Sequence, residues 1–396
     1  MVFDGTREKR GKGMNKRKTF LGKMDWEAYG VIAFYAYFAI NILMKAFCYD
    51  HGTSIYKCFL VIAMMFWMLK VVTTRYSLQE VFKIAVIIAV GLLLAVVTKQ
   101  NTWLFLFLTI VGMKNCRFRV LIQMAVGIRV TVLSLLVAGS AFGIYDIGYR
   151  LKMDSDYVGT AVYSFAMNEP NTAFLAVFLT LLLLLYYNYE RLNLWWFLGT
   201  SGVAVAFYKF TFCRTGVAVF FFCWALIVFE KIVKNKSIKF LLVLSVPVGA
   251  FISLVTMLLY NGENSLMHLL NHFVSGRIYI MNTYYLDQGI SLFPRTQQTF
   301  YASYHGLIDN AYMFVLLYGG VLVALFFFGC VCVTLMKLYR SGCYKELVMI
   351  GAMALYGVLE QFIMNGFMNP FILLCGILLY PNFIDGIKSD DNKKKI

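Results

Sequence analysis

Apolar runs of membrane-spanning length recur from Trp26 to Tyr380, and a single long stretch able to carry polar groups, between Tyr260 and Asp309, interrupts them. A helix that crosses the hydrocarbon needs roughly 20 mainly apolar residues. Runs of that kind lie near 25–47, 55–72, 80–98, 101–113, 118–141, 170–187, 194–212, 214–231, 238–259, 310–335, 346–363 and 367–384. They are continuous rather than alternating, which selects helices over a β-barrel, the other structure that satisfies its backbone inside a bilayer. With 61% hydrophobic and 14% charged residues and a mean hydropathy of +0.71, one soluble core could not hide the apolar surface. The expectation is an all-α, polytopic integral membrane protein of about twelve transmembrane helices. A single transmembrane domain covers 25–384, flanked by basic tails at 1–24 and 385–396, with one large outer loop at 260–308.

Charge orients the bundle. Alternating the spans from a cytoplasmic N-terminus puts 26 of the 36 Lys and Arg residues on the cytoplasmic side and nine outside, with Arg129 inside a span. This is the positive-inside bias, and it places both termini in the cytoplasm of a multi-pass cell-membrane protein. The basic stretch 7–18 then reads as an orientation signal that touches anionic lipid, not as a nucleic-acid site. No cleavable signal is expected, because the apolar run starts only near Trp26 and no small-residue cleavage site follows. The nine cysteines are scattered, show no C-x-x-C and read as small core hydrophobes. No phosphate loop or dinucleotide turn is present to drive ATP-dependent work.

Ionisable groups at membrane depth are costly, so they mark candidate sites. Three outward segments carry them. The first, 149–171, holds Arg150, Lys152, Asp154 and Asp156 and ends in Asn168-Glu169-Pro170-Asn171, where Pro170 suits the first turn of the next span. The second, 208–215, joins two apolar runs with almost no loop and holds Lys209 and Arg214. The third is the long loop. There, Leu266, Leu269, Leu270 and Phe273 fall at i, i+3, i+4 and i+7, and a second amphipathic helix begins with Ser275 as its expected cap. Gly276-Arg277 at that helix start is a candidate anion site, since the guanidinium joins backbone donors and the helix dipole. His268 and His272 share a face, but no third and fourth ligand for zinc is evident.

These pieces, in this order, resemble the Wzy-type polysaccharide polymerases of bacterial surface glycans, within the O-antigen ligase and polymerase superfamily. The matching residues are Arg150 followed by Pro170-Asn171, Cys213-Arg214-Thr215, Ser275-Gly276-Arg277-Ile278, and Asp309-Asn310-Ala311-Tyr312 with Gly319-Gly320. The match covers roughly 140–325, and the S-G-R-I and I-D-N-A-Y stretches look most like capsular polymerases. Related ligases and many polymerases place a His directly before the Asn; here that position is Asp309, and the nearest His is His305.

The resemblance implies a glycosyltransferase on the outer face that polymerises oligosaccharide units carried on undecaprenyl pyrophosphate, with no metal and no nucleotide sugar. It assigns Arg150, Arg214 and Arg277 to the pyrophosphates, Asp309 or His305 to the acceptor proton, and Asn171, Asn310 and Tyr304 to support. A helix N-cap is the competing role for Asp309. The implied partners are the lipid-linked oligosaccharides, membrane lipid, and a flippase and chain-length regulator of the same pathway. The alternatives are a ligase that moves glycan to another acceptor, or a flippase for the same lipid-linked units.

Overall fold

The computed structural model describes residues 26–48, 53–152, 159–296, 308–380 and 382–392. His305 and Tyr304, the tail 1–24, and Asp154 and Asp156 lie outside these residues.

The first half is a set of apolar helices joined by short turns: α1 (Trp26–Ala46), α2 (Ser54–Thr73), α3 (Leu78–Thr98), α4 (Thr102–Gly112) and α5 (Phe118–Ala141). Their starts follow local chemistry. Thr53 caps α2 by accepting from the Tyr56 amide. Ser77 and Glu80 form a reciprocal capping box on α3, which satisfies two otherwise orphaned donors. A two-stranded antiparallel hairpin follows, β1 (Tyr149–Lys152) with β2 (Thr160–Tyr163), registering Arg150 opposite Val162. The apolar periodicity gives no sign of it.

The second half contains α6 (Pro170–Tyr187), α7 (Leu194–Thr211), α8 (Arg214–Ile232), the short α9 (Lys236–Lys239), α10 (Ser245–Leu259), α11 (Ser265–Phe273), α12 (Arg277–Gln288), α13 (Ala311–Arg340), α14 (Tyr344–Gly357) and α15 (Phe383–Asn392). Pro170 occupies the first turn of α6, as expected. Among the described residues, seven helices are long and apolar enough to cross a membrane, and an eighth span results if the bent pair Lys236–Leu242 and Ser245–Leu259 counts as one. The protein is a mostly helical, membrane-embedded bundle.

The expected last two spans take another form. α14 ends at Gly357, and the chain continues through 3-10 turns at Phe362–Met364 and Pro370–Leu378. Gly366, Asn369 and Pro370 interrupt the apolar run and supply the physical reason. The expected C-terminal tail from 385 begins inside α15 instead.

Burial sorts the helices. In α6, 67% of the spanning window is buried inside the protein, against 17% in α3. α6 is therefore central, whereas α3 presents its apolar side outward. At one end of the bundle Lys114 bonds Glu80 at 2.6 Å and the Arg75 carbonyl at 2.7 Å, while Lys70 donates to the Lys114 carbonyl. At the corresponding turns of the second half, Tyr189 and Lys239 both bond Glu230, and Tyr186 donates to Glu346.

α13 is broken. Gly320, at φ 77 and ψ 172, interrupts a 30-residue helix. The segment after α12 fills the break: Val321 and Leu322 donate to the carbonyls of Ser291 and Leu292. Arg295 closes the join. Its guanidinium donates to the carbonyls of Gln288, Gly289 and Leu317, and its own amide donates to the Tyr318 carbonyl. A Cβ at Gly320 would meet the Phe293 carbonyl oxygen at 2.6 Å. Gly320→Ala is expected to cost about 1–3 kcal/mol, because the conformation is one that only glycine adopts freely. Thermal unfolding in detergent checks this, with Gly329→Ala, at an open helical position, as the neutral control.

Candidate functional site

The ends of α6, α8, α12, α13 and α14 away from the Lys114 end meet around Arg277. The turn before α12 explains how this residue is placed. Ser275 and Gly276 both sit at positive φ, 56° and 82°. The Gly276 amide donates to the Asn271 carbonyl at 2.8 Å, which folds α12 back from α11. Gly276 is therefore the N-cap, not Ser275 as the sequence suggests. The side-chain oxygen of Asn271 accepts from the Tyr279 amide at 2.9 Å, so one of the free first-turn donors is already used. α12 is fixed from below by Asn282, which donates to the Met257 carbonyl of α10.

Arg277 stands in the first turn of α12 with its side chain 8% exposed. Its Nη2 donates to Glu360 Oε1 at 2.8 Å, and its Nη1 to the Val274 carbonyl at 3.4 Å. Its Nε lies 3.8 Å from Asp309 Oδ2, beyond hydrogen-bond range, and is buried with no hydrogen-bond partner among the described residues. One guanidinium thus faces two carboxylates. With both ionised the trio carries an excess negative charge, which favours keeping one proton. Burial pushes the Asp309 carboxyl above its ordinary range; Arg277 opposes the shift and Glu169 adds to it.

Asn310 holds this geometry. It is fully buried, its amide nitrogen donates to Ser253 Oγ and to the Val358 carbonyl, both at 2.8 Å, and its oxygen caps the Met313 amide at 2.9 Å. The cap of α13 is therefore Asn310, which leaves Asp309 free to face Arg277. Val358 lies two residues before Glu360, so one side chain sets the positions of both carboxylates.

The other expected residues fall at the rim. Arg150 is exposed, lies 3.6 Å from Glu169 and donates to the Asn168 carbonyl at 3.4 Å. Glu169, the N-cap residue of α6, interacts electrostatically with Asp309 and Glu360. Cys213 is within electrostatic reach of Glu360 and Arg277, and the half-buried Arg214 follows it as the first residue of α8. Asn171 is exposed in the first turn of α6. Glu360 was not singled out by the sequence; its signal was a carboxylate well inside the apparent span 346–363, whose other acid, Glu346, sits at its edge. Among the described residues no three His, Cys, Asp or Glu side chains converge as a metal site would require.

No protein-family model, curated protein or solved structure matches this chain.

Asn310→Ala removes three buried hydrogen bonds, one of which is the α13 cap. Buried hydrogen bonds of about 1 kcal/mol each predict a loss of about 2–4 kcal/mol. Asn310→Asp keeps the cap but sets a buried acid oxygen against the Val358 carbonyl, so at neutral pH its melting temperature should fall at least as far as that of Asn310→Ala and recover in part as the pH is lowered.

Proposed function

We propose that this protein is a Wzy-type polymerase: a glycosyltransferase that joins undecaprenyl-pyrophosphate-linked oligosaccharide units into a surface polysaccharide on the outer face of the cytoplasmic membrane. The observation that carries the reading is the convergence on Arg277. Four motifs far apart in sequence, around Glu169-Pro170, Cys213-Arg214, Gly276-Arg277 and Asp309-Asn310, come together at one end of the bundle. They are the motifs on which the resemblance rests.

In the proposed reaction the acceptor hydroxyl attacks the anomeric carbon of the donor sugar. A carbon–oxygen bond forms there as the bond to the pyrophosphate oxygen breaks, and undecaprenyl pyrophosphate leaves. The hydroxyl proton passes to the Asp309 carboxylate. Arg150 and Arg214, on the open side of the site, meet the pyrophosphate, since fixed cations stabilise charge developing on a leaving oxygen. Arg277 is already engaged by Glu360, so its role shifts from clamping substrate to positioning Asp309. A neighbouring cation also keeps a buried carboxylate ionised enough to act as a base.

The membrane part of the proposal has twelve crossings and both termini cytoplasmic. The less apolar α7 and the shorter α4, α14 and Pro370–Leu378 stretch complete the count beside the seven long apolar helices and the bent α9–α10 pair. The 26-to-9 division of basic residues supports the orientation. With the exposed Cys58 replaced by Ser, a cysteine at Asn264 should react with an impermeant maleimide on intact cells, and one at Lys234 only after permeabilisation. The reverse pattern would sink the orientation and the outer-face chemistry with it.

Asp309→Asn tests the base. Asn is nearly isosteric and cannot take the proton, so purified enzyme given synthetic lipid-linked repeat units should still bind them. Its kcat should fall by about 10²–10⁴-fold, the usual contribution of a general base. In the wild type, the acid limb of the pH–rate profile should lie above the ordinary Asp range near ~4, because burial makes Asp309 hold its proton to higher pH. Full turnover by Asp309→Asn would remove Asp309 from the reaction.

A further inference from the structure

Away from Arg277, three lysines from three helices share one cavity. Lys45 near the end of α1, Lys57 in the first turn of α2 and Lys99 just after α3 line a space of about 360 Å³. Asn101 and Asn365 add neutral polar groups to the lining, and Leu60, Phe105, Leu106 and Phe367 add an apolar wall. The volume is at the low end of the range for small-molecule sites, about 300–1,000 Å³, and suits a headgroup better than a sugar chain.

The charge in this space is one-sided. Among the described residues the lining contains no Asp or Glu. α4 opens onto the cavity through Asn101 and Thr102, and the Asn101 side chain makes no cap hydrogen bond, so the positive end of an 11-residue helix adds to the field. Arg129 adds a further cation behind the wall. Its guanidinium is buried; Nη2 donates to the Phe367 carbonyl at 2.9 Å, and Nε has no hydrogen-bond partner among the described residues. Such a set of like charges repels itself, and a multiply charged anion relieves the repulsion.

We propose that this cavity binds the phosphate headgroup of an amphiphile. The ammonium groups suit a phosphate as point charges. The apolar wall distinguishes the ligand from a free ion: Leu60 of the lining lies on α2, whose exposed apolar side chains include Phe59 and Ile62, and Lys99 follows α3, whose exposed side chains include Leu93 and Val96. A tail lies along these side chains while the headgroup meets the lysines. The cavity is joined to the Arg277 site along the chain: Asn365 and Phe367 belong to the segment that leaves Glu360 through the Phe362–Met364 turn. The inference does not rest on the polymerase reading, since binding is measured without turnover.

The test uses the full-length protein in phosphatidylcholine nanodiscs, titrated with vesicles of phosphatidylcholine containing phosphatidic acid and, separately, with inorganic phosphate. Bound phosphatidic acid is counted by native mass spectrometry. Lys57 and Lys99 are exposed, so the double variant Lys57→Ala/Lys99→Ala should fold normally, and circular dichroism confirms it. Its retention of phosphatidic acid should fall about tenfold or more, each lysine near an anionic lipid being worth about 1 kcal/mol, or about fivefold in binding strength. Lys209→Ala, which removes an exposed lysine on another helix, should leave retention unchanged. Equal retention by wild type and the double variant overturns the site, as does an equal loss in Lys209→Ala. Inorganic phosphate binding as tightly as phosphatidic acid overturns the assignment to an amphiphile.

Discussion

The carboxamide of Asn310 makes its hydrogen bonds at one buried point, and each runs to a different part of the bundle: Ser253 on α10, Val358 after α14, and the first turn of its own helix. Inside a membrane protein such an amide has no water to fall back on, so leaving any of these groups unpaired is costly. Three chain segments are therefore held in one register. The acidic residues beside that point inherit the register: Asp309 is the preceding residue, and Glu360 follows the bonded carbonyl by two. Asp309 and Glu360 are, physically, a pair of carboxylates positioned by a neutral neighbour.

The charges around Arg277 then follow from pairing rules. Removing a guanidinium from water costs several kcal/mol unless good partners meet it. Glu360 supplies one at 2.8 Å and the Val274 carbonyl a weaker second, while Asp309 stays just outside bonding distance. A buried pair of this kind is weak evidence for stability but strong evidence for placement, because breaking it strands a charge. The partly satisfied Arg277 and the protonation-prone Asp309 are two aspects of one arrangement. The orphan donor follows from the distance at which Asp309 is held, and the raised affinity for a proton follows first from the burial of that carboxyl.

Much of the architecture was readable because a bilayer leaves few options. Spans α1, α2, α3, α5, α6, α8 and α13 follow from length and hydropathy, and the i, i+3, i+4, i+7 pattern of Leu266, Leu269, Leu270 and Phe273 predicted α11. Those four side chains are all exposed in the protein, as an interfacial face would leave them. The misses have physical causes. The hairpin 149–163 is set by backbone pairing in a polar stretch with no clear alternation. The Ser275 cap failed because the tight return from α11 demanded two left-handed residues in succession. Glu360 was hidden because hydropathy averages over a window, and one carboxylate in an apolar run barely moves the mean. Arg214 and Arg150 were legible as basic residues near span ends, but their unequal burial depended on how the helices pack.

The break at Gly320 has a consequence for how this fold can vary. Arg295 and the Ser291–Leu292 backbone join the end of α12 to the middle of α13, so a closed ring of hydrogen-bonded chain runs from Arg277 through α12, across the join and back along α13 to Asp309. That ring bypasses residues 297–307 entirely. Substitutions or changes of length there leave the path between the guanidinium and the carboxylate unaltered. A lineage could thus change that stretch of sequence while the Arg277–Asp309 geometry stays as it is.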